Sequence, residues 1–196
     1  ELTTDALLDA GFYNYKKICC MQLSAGAVEE YKDSTWVFGN FELLPNNIIL
    51  KIIKTVKNYT IVEYDYKYCK YRLKTRHEKI DGECSCNCSP RGKLVALFLA
   101  KSKNLFFMSQ GQKEEYQKVF PVLSKKDSVV LSSSFKKDTL EYINSLDTSK
   151  KNEKYIILGS TFWVKGTENA IKHAEENSLE YEIISGLKHK EVLRKL

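Results

Sequence analysis

The strongest local constraint in the chain is an alternation. Between Tyr59 and Tyr71, Thr60, Val62, Tyr64, Tyr66 and Tyr68 fall on one side of an extended backbone, and Glu63, Asp65 and Lys67 fall on the other. A period of two is what a half-buried β-strand requires, because successive side chains point to opposite faces. Such a strand needs partners on its edges, so it implies further strands elsewhere.

Candidates are plentiful. Trp36 opens an apolar, aromatic stretch after the polar turn 32–35, and the Ile- and Val-rich run 48–56 follows a turn at Pro45-Asn46-Asn47. Runs 93–100 and 104–109 predict two strands joined by a tight turn, and 128–133, 139–145 and 155–159 predict three more, which makes eight in all. Helical signals are sparser. Residues 3–10 suit one or two turns capped by Thr3 or Thr4, and the polar connection around 114–119 suits a short helix. Only beyond Thr167 does the period change, with Ala170, Ile171, Ala174 and Ser178 at helical spacing. A strand at 181–185 and a basic, helical tail at 187–196 follow.

Many strands joined by short turns, with the helix arriving late, predict a mainly β fold. The expected architecture is an eight-stranded antiparallel up-and-down barrel, with a C-terminal α-helix outside it and a short N-terminal helical segment. Eight strands can close a barrel around one small ligand. The length of 196 residues with 43% hydrophobic composition suits a single domain, with the barrel over 34–160, the helix over 167–177 and the basic tail over 187–196.

The net charge of +6 comes from 31 basic side chains dispersed among 25 acidic ones, which predicts a solvated surface and no nucleic-acid partner. The tail, with Lys188, His189, Lys190, Arg194 and Lys195 beside Leu187, Val192 and Leu193, offers a membrane-surface contact, although a solvated helix explains it as well. No run approaches the roughly 18 apolar residues of a membrane span. A start at Glu1 fits removal of a signal peptide, and an even count of six cysteines fits an oxidising, secreted setting. Asn58-Tyr59-Thr60 and Asn87-Cys88-Ser89 match the glycosylation tripeptide.

Three places resemble the lipocalins. Val28 to Tyr31 before Trp36 is similar to the family's lead-in helix and Gly-x-Trp strand opening, with Ser34 at the glycine. Val130 to Phe135 is similar to its turn between the sixth and seventh strands. Tyr155 to Thr161 is similar to the end of its eighth strand, with Ser160 where an Arg usually covers the Trp. The Lys, Asn and Tyr bias is similar to that of a secreted lipocalin of malaria parasites. The resemblance implies a closed barrel carrying a lipid, retinoid-like molecule or tetrapyrrole, a tendency to homo-oligomerise and, for the parasite likeness, the vacuole around the parasite.

Cys84, Cys86 and Cys88 form the most unusual stretch. In an extended chain their side chains share one face about 7 Å apart, too far for neighbours to bridge easily. Pairing with Cys19, Cys20 and Cys69 then reduces fifteen connectivities to six. A thiolate site for Cu(I) or zinc is the rival. Structural zinc sites favour two to four residues between cysteines and this stretch has one, so disulfides are favoured and no metal is assigned.

Trp36, Phe38, Tyr64, Tyr66, Tyr68, Phe98 and Phe107 could line an apolar pocket with a few hydroxyl handles, or simply fill the core. His77, His173 and His189 show no metal-ligand spacing. Ser132 to Ser134 lack the Gly-x-Ser-x-Gly elbow, and no phosphate-binding glycine pattern occurs, so nothing suggests an enzyme. The expectation is a secreted carrier of a small hydrophobic ligand. The alternative is a secreted interaction protein with a filled barrel, which binds a protein or membrane surface through its loops.

Overall fold

A computed structural model of the chain describes residues 2–11, 14–147 and 154–195. The backbone is 51% helical, and its described residues form nine α-helices and six short strands in two small sheets. Every strand pair is parallel. The eight-stranded antiparallel barrel of the lipocalin likeness is therefore corrected to a helix-rich α/β arrangement. Two compact units divide the chain, residues 1–136 and 137–196.

The correction has a local cause. Three of the eight expected strands are helices: 48–56 lies in α3 (Asn46–Thr55), 93–100 in α5 (Pro90–Lys101) and 139–145 in α7 (Lys137–Ser145). An apolar run too short to fix its own period is settled by what it packs against. In α3, Ile48, Ile49 and Ile52 are buried a turn apart while Leu50 and Lys54 face solvent. Ile49 and Ile52 are fully enclosed, so truncating either to Ala costs about 2–5 kcal/mol. The start of α5 carries a signal that the apolar run obscures. Ser89 caps it by accepting from Gly92 N at 3.0 Å, and Pro90 occupies the first turn, where its missing N–H costs nothing.

The first unit is built on a four-stranded sheet in sequence order: β1 (Trp36–Phe38), β2 (Tyr59–Glu63), β3 (Asn104–Phe107) and β4 (Val129–Val130). Trp36 sits opposite Tyr59, Ile61 opposite Leu105 and Phe106 opposite Val129. Parallel neighbours need crossovers. They are supplied by α3, by α4 (Lys74–Asp81) with α5, and by α6 (Gln110–Val119). Phe38, Phe41, Tyr59 and Phe98 form the aromatic heart of this core, with the Tyr59 hydroxyl donating to Phe98 O at 2.9 Å. At the carboxyl ends of the strands, α1 (Leu2–Gly11) is tied to Tyr64 by Thr4 N, which donates to its hydroxyl at 2.8 Å. A short helix, α2 (Ala25–Glu30), precedes β1 and buries Val28.

The expected strand 59–71 ends early and turns inside out. β2 stops at Glu63, and Glu63 and Lys67 are buried while Tyr64 and Tyr66 are only half-buried. Hydrogen bonding to Lys67 makes this tolerable, since Lys67 Nζ donates to Glu63 Oε1 at 2.9 Å and lies 3.2 Å from Asp65 Oδ1. The chain then folds back, with Tyr66 N donating to Arg72 O and Cys69 N to Tyr66 O.

The second unit comprises α7, β5 (Tyr155–Leu158), α8 (Thr167–Glu176), β6 (Tyr181–Ile184) and α9 (His189–Lys195). Here the helix expected over 167–177, the strand over 181–185 and the helical tail agree with the structure, although β5 and β6 pair in parallel. Leu196 lies outside the described residues.

Candidate metal centre

The connection from β2 to β3 gathers four potential metal ligands. Cys69 is buried in the turn after β2, whose backbone is held from the side by α6. Tyr116 Oη accepts from Lys67 N at 3.1 Å and donates to Asp65 O at 3.2 Å, and Gln112 Nε2 donates to Asp65 O at 3.1 Å. One helix later, α4 turns His77 inward, leaving it 7% exposed, and Gly82 ends the helix in a backbone conformation with φ of +84° that L side chains rarely adopt. Cys84 follows, and Cys86 begins the 3-10 turn Cys86–Cys88 that leads into α5. Ser89 fastens this turn, donating to Cys86 O at 2.6 Å while its oxygen caps α5.

The ligand atoms of Cys69, His77, Cys84 and Cys86 all lie within 4.8 Å of one another. His77 Nδ1 is 3.4 Å from Cys69 Sγ and 3.4 Å from Cys86 Sγ, and Cys69 Sγ is 3.8 Å from Cys84 Sγ. A tetrahedral zinc with bonds of about 2.3 Å to sulfur and about 2.05 Å to nitrogen sets its ligands about 3.8 Å (S to S) and about 3.6 Å (S to N) apart. These three separations are close to edges of that tetrahedron.

Around the cluster stand groups that orient and tune it. His77 Nε2 faces Asp81 Oδ2 at 3.6 Å, longer than a hydrogen bond but close enough for the carboxylate to act on a ligating imidazole through its charge. Asp81 is itself held by Lys70 Nζ at 2.5 Å and, more weakly, by the Tyr71 hydroxyl at 3.2 Å, which keep its carboxyl below the usual carboxylate range. The Tyr71 ring meets the His77 ring edge to face. Burial pushes the Cys84 thiol up to about 11, the backbone N–H of Cys86 draws it down, and Cys69 beside it adds to the rise. A bound cation inverts that balance and favours the thiolate. A cleft of about 270 Å³ opens beside Cys84, between Tyr68, Lys74, Asn87, Cys88 and Val119.

The residues singled out in the sequence are distributed differently from expectation. Of the six cysteines, all free thiols here, Cys69, Cys84 and Cys86 meet, while Cys19 and Cys88 are exposed and Cys20 donates to Asn40 O at 2.6 Å. Phe38, Phe98, Phe107 and Tyr68 are core side chains. Trp36 is half-buried, stacked on Phe38, with its indole N–H on Tyr31 O at 2.8 Å. Tyr66 stacks on Tyr116, and Tyr64 binds α1. His173 and His189 are exposed in the second unit. The residue sequence reasoning missed is His77. Its signal was the local series Cys69, His77, Cys84, Cys86 within one connection, which spacing rules framed on cysteine pairs pass over.

No family model, no curated protein and no solved structure matches the chain.

Proposed function

We propose that the protein is a zinc-binding module, in which Cys69, His77, Cys84 and Cys86 hold a structural metal ion. The observation that carries this is the convergence of His77 Nδ1 on two sulfurs at 3.4 Å each. A disulfide between Cys69 and Cys84 has no need of an imidazole there. Mixed N/S donors in a tetrahedron suit zinc, and four protein ligands close the coordination sphere, as structural sites do. No position is left for a substrate at the metal, so the role is to fix the crossover between β2 and β3. That crossover lacks a long apolar helix until α5, and α4 buries only His77. Metal binding supplies the folding free energy that such a segment cannot draw from its own apolar contacts. Thiolates kept for a metal also fit a compartment in which they stay reduced, in place of the oxidising one expected from six cysteines.

Native mass spectrometry tests the proposal. Protein prepared without chelator is expected to retain a single zinc, and Cys84→Ser and His77→Ala to lose it. A chain that carries no zinc and has lost the hydrogens of a disulfide would overturn it.

A further inference from the structure

Six lysines that are scattered in the sequence are brought to one edge of the first unit by its topology. All four strands of the sheet run the same way, so the loops entering them share one side. Lys54 and Lys57 lie just before β2, Lys101 and Lys103 just before β3, and Lys125 and Lys126 just before β4. Those three strands are neighbours in that order, and the loops are stitched together directly. Lys103 N donates to Tyr59 O at 2.7 Å, and Lys126 Nζ donates to Lys103 O at 3.2 Å and to Ser102 O.

The edge is cationic because its charges are unanswered. Lys54, Lys57, Lys101, Lys103 and Lys125 are exposed, and no ion pair joins any of them to an acidic side chain among the described residues. Asp127 is the sole carboxylate in the three loops, 54–58, 101–103 and 125–128. On the β1 side the balance differs, since Glu29 is held between Lys32 and Lys51. Helix polarity accounts for part of the pattern: Lys54 and Lys101 stand in the last turns of α3 and α5, where a cation complements the dipole. Lys125 ends the 3-10 turn Pro121–Lys125 in the same way, whereas Lys57 and Lys103 stand outside any helix. The side chains between the lysines are buried or polar, with Val56 4% and Ser102 3% exposed, and the exposed apolar side chains flanking the third loop, Val122 and Val129, are short and offer a bilayer no aromatic or long aliphatic anchor.

We infer that this lysine edge binds the phosphate backbone of a nucleic acid without reading its bases. Three loops on strands about 4.8 Å apart span about 10 Å. Duplex DNA presents a charge every 1.7 Å or so of its axis, hence about six in that length. Lysine acts on such a target as a point charge, and without recognition groups of fixed geometry it positions rather than specifies. Composition alone pointed away from nucleic acid because the charges are dispersed along the chain. Their gathering is a property of the sheet.

The test is made on the protein as purified and does not depend on the metal. Fluorescence anisotropy of a labelled random-sequence DNA duplex and of a labelled single-stranded RNA is expected to give dissociation constants of about 1–100 μM at physiological salt, with affinity falling roughly as the third to fifth power of salt concentration. Replacing Lys54, Lys57, Lys101, Lys103 and Lys125 by Gln is expected to weaken binding at least tenfold or so, with an unchanged circular dichroism spectrum. A tail variant, Lys188→Gln with Lys190→Gln, is expected to bind like the parent. No saturable signal, binding insensitive to salt, loss in the tail variant instead, or preference for phosphatidylserine vesicles over both nucleic acids would each overturn the inference.

Discussion

Gly92 lies directly against the backbone of Cys86. A Cβ at position 92 would overlap the Cys86 carbonyl oxygen and stand 3.0 Å from Asn87 Cα, both of them backbone atoms that cannot swing aside. The first turn of α5 and the turn that presents Cys86 are thus fitted to each other through the absence of a side chain. Gly92→Ala is expected to displace Cys86 and weaken zinc binding about tenfold or more, an overpacking penalty of about 1–3 kcal/mol expressed at the metal. Competition against a chromophoric chelator measures it, and parent-like affinity would show that Gly92 serves helix packing alone.

Asp81 is the residue through which the surface reaches His77. With its carboxylate 3.6 Å from Nε2, Asp81→Asn is expected to lower zinc affinity about 10- to 100-fold while leaving the four ligands in place. Cobalt(II) substitution checks this separately. The variant should still give the absorption of a tetrahedral thiolate site, at higher cobalt concentration.

Tyr68 carries a buried hydroxyl with no hydrogen-bond partner among the described residues, although its ring packs well on Tyr116 and Phe120. An unsatisfied buried hydroxyl costs about 1–3 kcal/mol. Tyr68→Phe is therefore expected to raise stability by a similar amount in urea unfolding. A drop instead would mean that the hydroxyl is used, by a ligand in the adjacent cleft or by the Cys84 thiolate.

The buried pair of Glu63 and Lys67 gives a pH dependence of known sign. Burial, outweighing the pull of Lys67, raises Glu63 from an ordinary 4.5 to about 7. The folded state thus keeps a proton that the unfolded chain releases between these values. Stability from this source is complete below pH 4.5 and is lost as pH rises through 7. Glu63→Gln stays neutral throughout. Relative to the parent it should gain on the order of 3 kcal/mol between pH 4 and pH 8, read as a growing difference in thermal midpoint, whereas a difference that ignores pH would refute the assignment.

Two kinds of information were separable along this chain. Local periodicity was sufficient where the pattern was long and its polar face stayed in solvent. The helix at Thr167–Glu176, with Ala174 buried and the glutamates outside, and the strand at Tyr181–Ile184 after it, were both legible in advance. It failed for Pro90–Lys101, an apolar run buried on several sides, and for Asn46–Thr55, where Asn47, Lys51 and Lys54 do mark a solvent face at helical spacing but the Ile-rich composition reads first as a strand. It failed oppositely at residues 63–67, where the hydrogen-bonded Glu63 and Lys67 turn the polar side inward and an alternation mimics an exposed strand.

What the sequence determined by itself was the inventory: four cysteines and a histidine within one connection, a Ser-Pro helix start at Ser89, and an excess of lysine. Tertiary structure decided what these amount to. The fold of the β2–β3 crossover turns cysteines at unpromising spacing into one ligand cluster, since ligand geometry depends on where backbone segments meet and not on the residues between them. Parallel pairing likewise turns dispersed lysines into one charged edge, because it places the entries of successive strands side by side however far apart they lie in the chain.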